Sequence, residues 1–117
     1  MEKKLLKQLS FEFAVLIIDL VKRLQENKEF IISNQIGRSG TSIGANINEA
    51  EYAQSKADFI SKLKIALKEA NETEYWLKLL RETFSLADEY YENLLNKCIA
   101  IKIKLIKSCK TASNKKE

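Results

Sequence analysis

Apolar residues recur along this chain at steps of three and four for nearly its whole length, the spacing of helices that each turn one face to a core. The pattern falls into four stretches. The first predicts a helix from about Glu2 to Glu26, with Leu6, Leu9, Phe13, Leu16, Leu20 and Leu24 as its stripe and Ile17 and Val21 widening it. The second predicts a helix over about Lys28 to Tyr52, capped by Asn27, with Ile32, Ile36, Ile43 and Ile47 facing inward. The third begins at Ser55-Lys56-Ala57-Asp58, a capping serine followed three residues on by an acid, just before an apolar run. Its stripe is Phe59, Leu63, Ala66, Ala70, Thr73, Leu77, Leu80 and Phe84, a heptad seam sustained for more than three repeats. The fourth opens in the same way with Ser85-Leu86-Ala87-Asp88 and carries Tyr91, Leu94, Cys98, Ile101 and Leu105.

Four long helices on short connectors pack as antiparallel neighbours. The expected fold is therefore all-α, an antiparallel up-down-up-down four-helix bundle over residues 1–110, with 111–117 as a disordered basic tail. One segment also fits another period: Ile99, Ile101, Ile103 and Leu105 alternate with Ala100, Lys102 and Lys104 as a strand would. Helix is preferred because the segment continues a capped helical pattern and no partner strand exists elsewhere. As a helix it is apolar nearly all round, and such a helix must be covered all round. With the unbroken apolar run Phe13 to Ile18, this argues for association between copies of the chain.

Composition agrees with helix. Proline is absent, only three glycines occur, apolar residues make up 45% and charged residues 31% of the 117 positions. The apolar run of six residues is far short of the ~20 needed to span a bilayer. Lys3, Lys4 and Lys7 precede it, but Glu12 and Asp19 bracket it and no small-residue cleavage site follows, so it reads as helix rather than signal peptide. Cys98 and Cys109 stand about 16 Å apart along a helix, too far for an internal disulfide, and are expected as reduced thiols of a cytoplasmic protein, with a pair across chains as the alternative.

Charge is unevenly spread. Residues 102–117 contain Lys102, Lys104, Lys107, Lys110, Lys115 and Lys116 against Glu117 alone, a net charge of +5, while residues 1–101 carry −1. A basic segment of this kind favours anionic partners, nucleic acid first.

All three glycines lie within eight residues: Gly37, Gly40 and Gly44. Each is expected to cost a helix about 1 kcal/mol relative to alanine. Their steps of three and four put them on one face, smooth enough for another backbone to approach. Gly37-Arg38-Ser39-Gly40 also fits the GXXG clamp of a nucleic-acid-binding domain, but that reading needs flanking strands.

The glycine segment carries a family resemblance. Gln35-Ile36, Arg38-Ser39, Thr41-Ser42-Ile43, Ala45-Asn46-Ile47 and Glu49 are followed by Ser55, Asp58-Phe59-Ile60, Leu63, Ile65-Ala66, Lys68-Glu69-Ala70, Glu72-Thr73 and Tyr75-Trp76-Leu77. This pattern resembles the four-helix-bundle proteins encoded by 23S ribosomal RNA intervening sequences, over about residues 10–105. The resemblance implies a bundle assembled into a ring-like homopentamer. A related branch, the accessory variability determinants of diversity-generating retroelements, forms basic pentameric barrels that bind a reverse transcriptase and its RNA.

Histidine is absent, which removes the usual triads, a neutral-pH general base and most zinc sites. Glu69, Glu72 and Glu74 approach the spacing of a bundle metal site, but the Glu-x-x-His element cannot occur, so no metal, cofactor or enzymatic activity is expected. The expected nucleic-acid contacts are Arg38, Lys102, Lys104, Lys107 and Lys110. The expected packing or interface residues are Gly37, Gly40, Gly44, Asn46, Glu49 and Trp76, with Asn46 and Glu49 either facing a partner beside Arg38 or hydrogen-bonding structurally. Two functions follow: a homo-oligomeric adaptor that binds RNA or a ribonucleoprotein, or a purely structural, protein-binding module.

Overall fold

The computed structural model describes residues 2–115, with side chains from Leu5 onward. It contains α1 (Glu2–Glu26), α2 (Phe30–Ala50), α3 (Lys56–Thr83) and α4 (Asp88–Asn114), and no strand among the described residues. The ambiguous Ile99 to Leu105 stretch is helical. Ile101 and Leu105 point into the core, and Ile103 is left on the surface.

Cross-helix contacts fix the topology. Lys7 near the start of α1 meets Glu51 at the end of α2, Arg38 in α2 meets Glu69 in α3, and Asp19 in α1 meets Tyr90 at the start of α4. Between α3 and α4, Leu80 meets Tyr91 and Ala70 meets Cys98, so the order runs in opposite directions, and with short connectors throughout consecutive helices are antiparallel. Each helix packs on two neighbours, with α1 closing against α4, and the diagonal pairs do not approach. The seam between α1 and α4 is the loosest of the four. The result is an elongated bundle of 50 × 22 × 19 Å.

The heptad seam of α3 is buried as the spacing requires. Leu63, Ala66, Ala70, Thr73, Leu77 and Leu80 face the interior, and Phe59 and Phe84 pack at its ends. In α1 the stripe is turned from its expected centre. Ile17 is fully buried with Leu6, Phe13, Leu20 and Leu24, whereas Leu9, Leu16 and Val21 are only partly covered. The cause lies in α2, where Gly40 offers no side chain and so lets Ile17 in.

Helix ends depart from expectation at two places. Asn27 does not cap α2. Lys28 adopts a left-handed conformation (φ 60°), its N–H bonds to the Gln25 carbonyl, and the Glu29 N–H reaches the Leu24 carbonyl at 2.8 Å. This Schellman closure makes Asn27 part of the end of α1, where its amide donates to the Arg23 carbonyl. Ser85 likewise does not cap α4, which begins at Asp88 with no side-chain cap. Leu86 is drawn onto the core instead, and the Tyr91 hydroxyl donates to the Phe84 carbonyl at 2.7 Å, fixing the turn from inside. Ser55 does cap α3: its hydroxyl accepts from the Asp58 N–H at 3.0 Å, and the Asp58 carboxylate accepts from the Gln54 N–H. At the other end, α4 continues through Asn114, so residues 111–114, expected to be disordered, are helical. Lys116 and Glu117 lie outside the described residues.

Candidate functional site

The three glycines form the bed on which α1 lies. A Cβ at Gly40 would stand 2.8 Å from Ile17 Cγ2 and 2.9 Å from Cγ1. At Gly37 it would meet Val21 at 3.2 Å, and at Gly44 it would meet the hydroxyl and backbone of Ser10. The smooth face therefore serves contact between helices of one chain. Asn46 is also turned inward on its own helix, its amide donating to the Ser42 carbonyl at 2.9 Å. Glu49 remains exposed, and no ion pair to it occurs among the described residues.

Arg38 does not stand beside Asn46 as a free cation. Its guanidinium bridges α2 to α3, pairing with Glu69 at 3.1 Å and with Glu72. Glu72 also accepts the indole N–H of Trp76 at 2.9 Å, and Tyr75 meets Trp76 edge-on at 5.1 Å. One positive charge thus sits between two carboxylates. Lys102 is committed in the same manner, bonding Asn71 at 2.8 Å and Glu74 at 3.1 Å. The hydrogen bond from Lys78 holds the Glu74 carboxyl below its ordinary range, against partial burial and with further help from Lys102.

The remaining expected cations are different. Among the described residues no carboxylate lies within ion-pair distance of Lys104, Lys107 or Lys110. The structure adds two lysines that charge counting along the tail overlooks: Lys64 and Lys68 on α3, likewise unpaired. Lys64 and Lys110 flank a groove between α3 and α4 floored by Leu67, Ile106 and Cys109. A sequence signal for this surface does exist. From Asn93 to Lys116 seven lysines occur with no Asp or Glu.

Two further surfaces are set apart from the α3–α4 groove. Phe11, Val15 and Ile18 lie on the side of α1 away from the core and are 70%, 55% and 47% exposed. A second groove between α1 and α4 is lined by Leu9, Glu12, Leu16, Asn93, Asn96, Lys97, Ala100 and Ile101. Among the described residues no three His, Cys, Asp or Glu side chains come together in a way that could hold a metal ion, and no helix is long and apolar enough to cross a membrane. Both cysteines are free and buried. Cys98 donates to the Ala70 carbonyl at 3.3 Å, and burial, with Glu74 adding, pushes its thiol up to about 12.

A family model described as 23S rRNA-intervening sequence protein matches residues 2–107. Among solved structures, a similar chain is the crystal structure of a protein with unknown function from the S23 ribosomal protein family of Bacteroides thetaiotaomicron VPI-5482. It is 58% identical, with a TM-score of 0.90 over 94% of this chain and 99% of that one. No curated protein matches.

Proposed function

We propose that this chain, which belongs to the 23S rRNA-intervening sequence protein family, is a non-enzymatic bundle that assembles with copies of itself and presents repeated basic surfaces to RNA or a ribonucleoprotein. Self-association is supported by the outward stripe of Phe11, Val15 and Ile18, which a solitary bundle leaves wet. The pentamer implied by the resemblance would gather five copies of the acid-free lysine segment. Phosphate affinity grows with the number of contacts made together.

The observation that carries the RNA reading is the set Lys104, Lys107 and Lys110, whose charges no carboxylate of the described chain neutralises. A second reading, a structural module without nucleic acid, draws on Arg38 and Lys102, both of which are occupied by glutamates. Light scattering with and without a mixed RNA pool, at two salt concentrations, separates them. The proposal expects a mass that is a multiple of the chain and RNA retention that falls steeply with salt. Phe11→Glu with Val15→Glu should reduce the mass to that of one chain. A wild-type monomer at micromolar concentration removes the assembly claim, and a defined oligomer that never retains RNA favours the structural module.

A further inference from the structure

The outer side of α3 runs opposite its core seam. Lys64, Lys68, Asn71 and Tyr75 follow one another at steps of four, three and four, so they form one line, and all four are exposed. At 1.5 Å of rise per residue the line is about 16 Å long. The acids nearest to it are already engaged. Glu69 and Glu72 take Arg38, Glu74 takes Lys78 and Lys102, and Asp58 takes Lys62. Among the described residues no carboxylate pairs with Lys64 or Lys68, and Lys110 joins Lys64 across the α3–α4 groove.

Tyr75 gives this face a second property. The residue is 59% exposed, yet its ring is propped edge-on by Trp76, which is itself anchored to Glu72. A flat aromatic surface is therefore held at the end of a row of positive charges. Cations that follow a phosphate backbone, with an aromatic ring on which a base can stack, are the two elements of single-strand recognition. A duplex keeps its base faces inside and offers such a ring nothing to stack on.

Deepening the RNA reading above, on which it rests, we infer that the outer face of α3 is a track for single-stranded nucleic acid. Lys64, Lys68 and Lys110 contact phosphates, and Tyr75 stacks on a base. Arg38 and Lys102 take no part.

The test is fluorescence anisotropy of a short fluorescein-labelled poly(U) strand with the full chain. Three phosphate contacts give a log–log salt slope of about −2, so a fourfold rise in salt should weaken binding about twentyfold. Lys64→Gln with Lys68→Gln should lower affinity at low salt at least about tenfold and bring the slope to about −0.7. Tyr75→Ala should lose about tenfold, while Tyr75→Phe, which keeps the ring, should bind as the wild type does. Lys22→Gln, at an exposed lysine on α1, a helix that does not approach α3, should leave affinity unchanged. The substituted side chains are exposed, and circular dichroism melts establish that each variant is folded.

If binding persists in the Lys64/Lys68 and Tyr75→Ala variants but vanishes with Lys104→Gln and Lys107→Gln, the RNA reading stands and this track is wrong. If poly(U) does not bind while the mixed RNA pool is retained, this track is wrong and the RNA reading stands; if neither is bound, both fall. Equal affinity for duplex RNA, or capture by phosphatidylserine vesicles in place of poly(U), overturns the single-strand assignment.

Discussion

The hydroxyls of Ser39 on α2 and Thr73 on α3 meet at 2.8 Å, and both side chains are wholly buried. Thr73 also bonds the Glu69 carbonyl at 2.8 Å. This pair lies one turn from the Arg38–Glu69 bridge and pins α2 to α3 from within. Buried polar groups are tolerated only when partnered, and this partnership holds in one register of the two helices.

Thr73→Val keeps the shape but strands the Ser39 hydroxyl. It should cost about 1–2 kcal/mol. Ser39→Ala should cost less, because Thr73 retains the Glu69 carbonyl. The double variant should lose less than the sum of the two, a coupling that urea titration of all four proteins would reveal. Strict additivity would mean that the hydroxyls do not support each other.

Gly40→Ala should destabilise the bundle by about 1–2 kcal/mol. The added methyl meets the branched, stiff part of Ile17 below 3.0 Å, and overpacking outweighs the ~1 kcal/mol gained in helix propensity. Gly37→Ala and Gly44→Ala, whose nearest atoms stand at 3.2 and 3.3 Å, should be milder. Thermal melts of the three variants check the order.

Lys28→Gly should stabilise the protein by about 1 kcal/mol. Lys28 has φ 60°, where a Cβ is penalised and glycine is not. The urea midpoint should rise with an unchanged slope. A lower midpoint would show that the Lys28 side chain contributes more than its backbone costs.

Stability should decline at alkaline pH. Burial, with Asp19 adding to it, pushes the Tyr90 phenol from 10.0 to about 12, and the Cys98 thiol rises from 9.0 to about 12. Both raised values mean that the folded state holds the neutral form. Their contribution is complete below the unfolded values and is lost as pH climbs through 9–12. Urea midpoints across that range should fall, and Tyr90→Phe should flatten the upper part of the fall. A flat wild-type profile would contradict the burial of these groups.

Much of this molecule is dictated by spacing alone. The α3 seam from Phe59 to Phe84 and the serine cap at Ser55 follow from local rules, because a heptad repeat has one buried face whatever surrounds it. The smooth glycine face was equally legible, though not what would lie on it: a glycine step states that something approaches closely, and only packing puts Ile17 there. Asn27 misled because its side chain serves the end of α1 that the turn presents to it, and Ser85 because α4 starts only at Asp88, with Leu86 drawn onto the core. Positive charge was the least legible property. Arg38 and Lys102 count as cations in the sequence, yet glutamates contributed by another helix neutralise them, while no carboxylate among the described residues pairs with Lys64 or Lys68. Helix formation is local and period-coded, so the chain specifies its own elements and their inward faces. Which charges face solvent unpaired depends on residues thirty positions apart meeting across a seam, and the tertiary fold alone decides that.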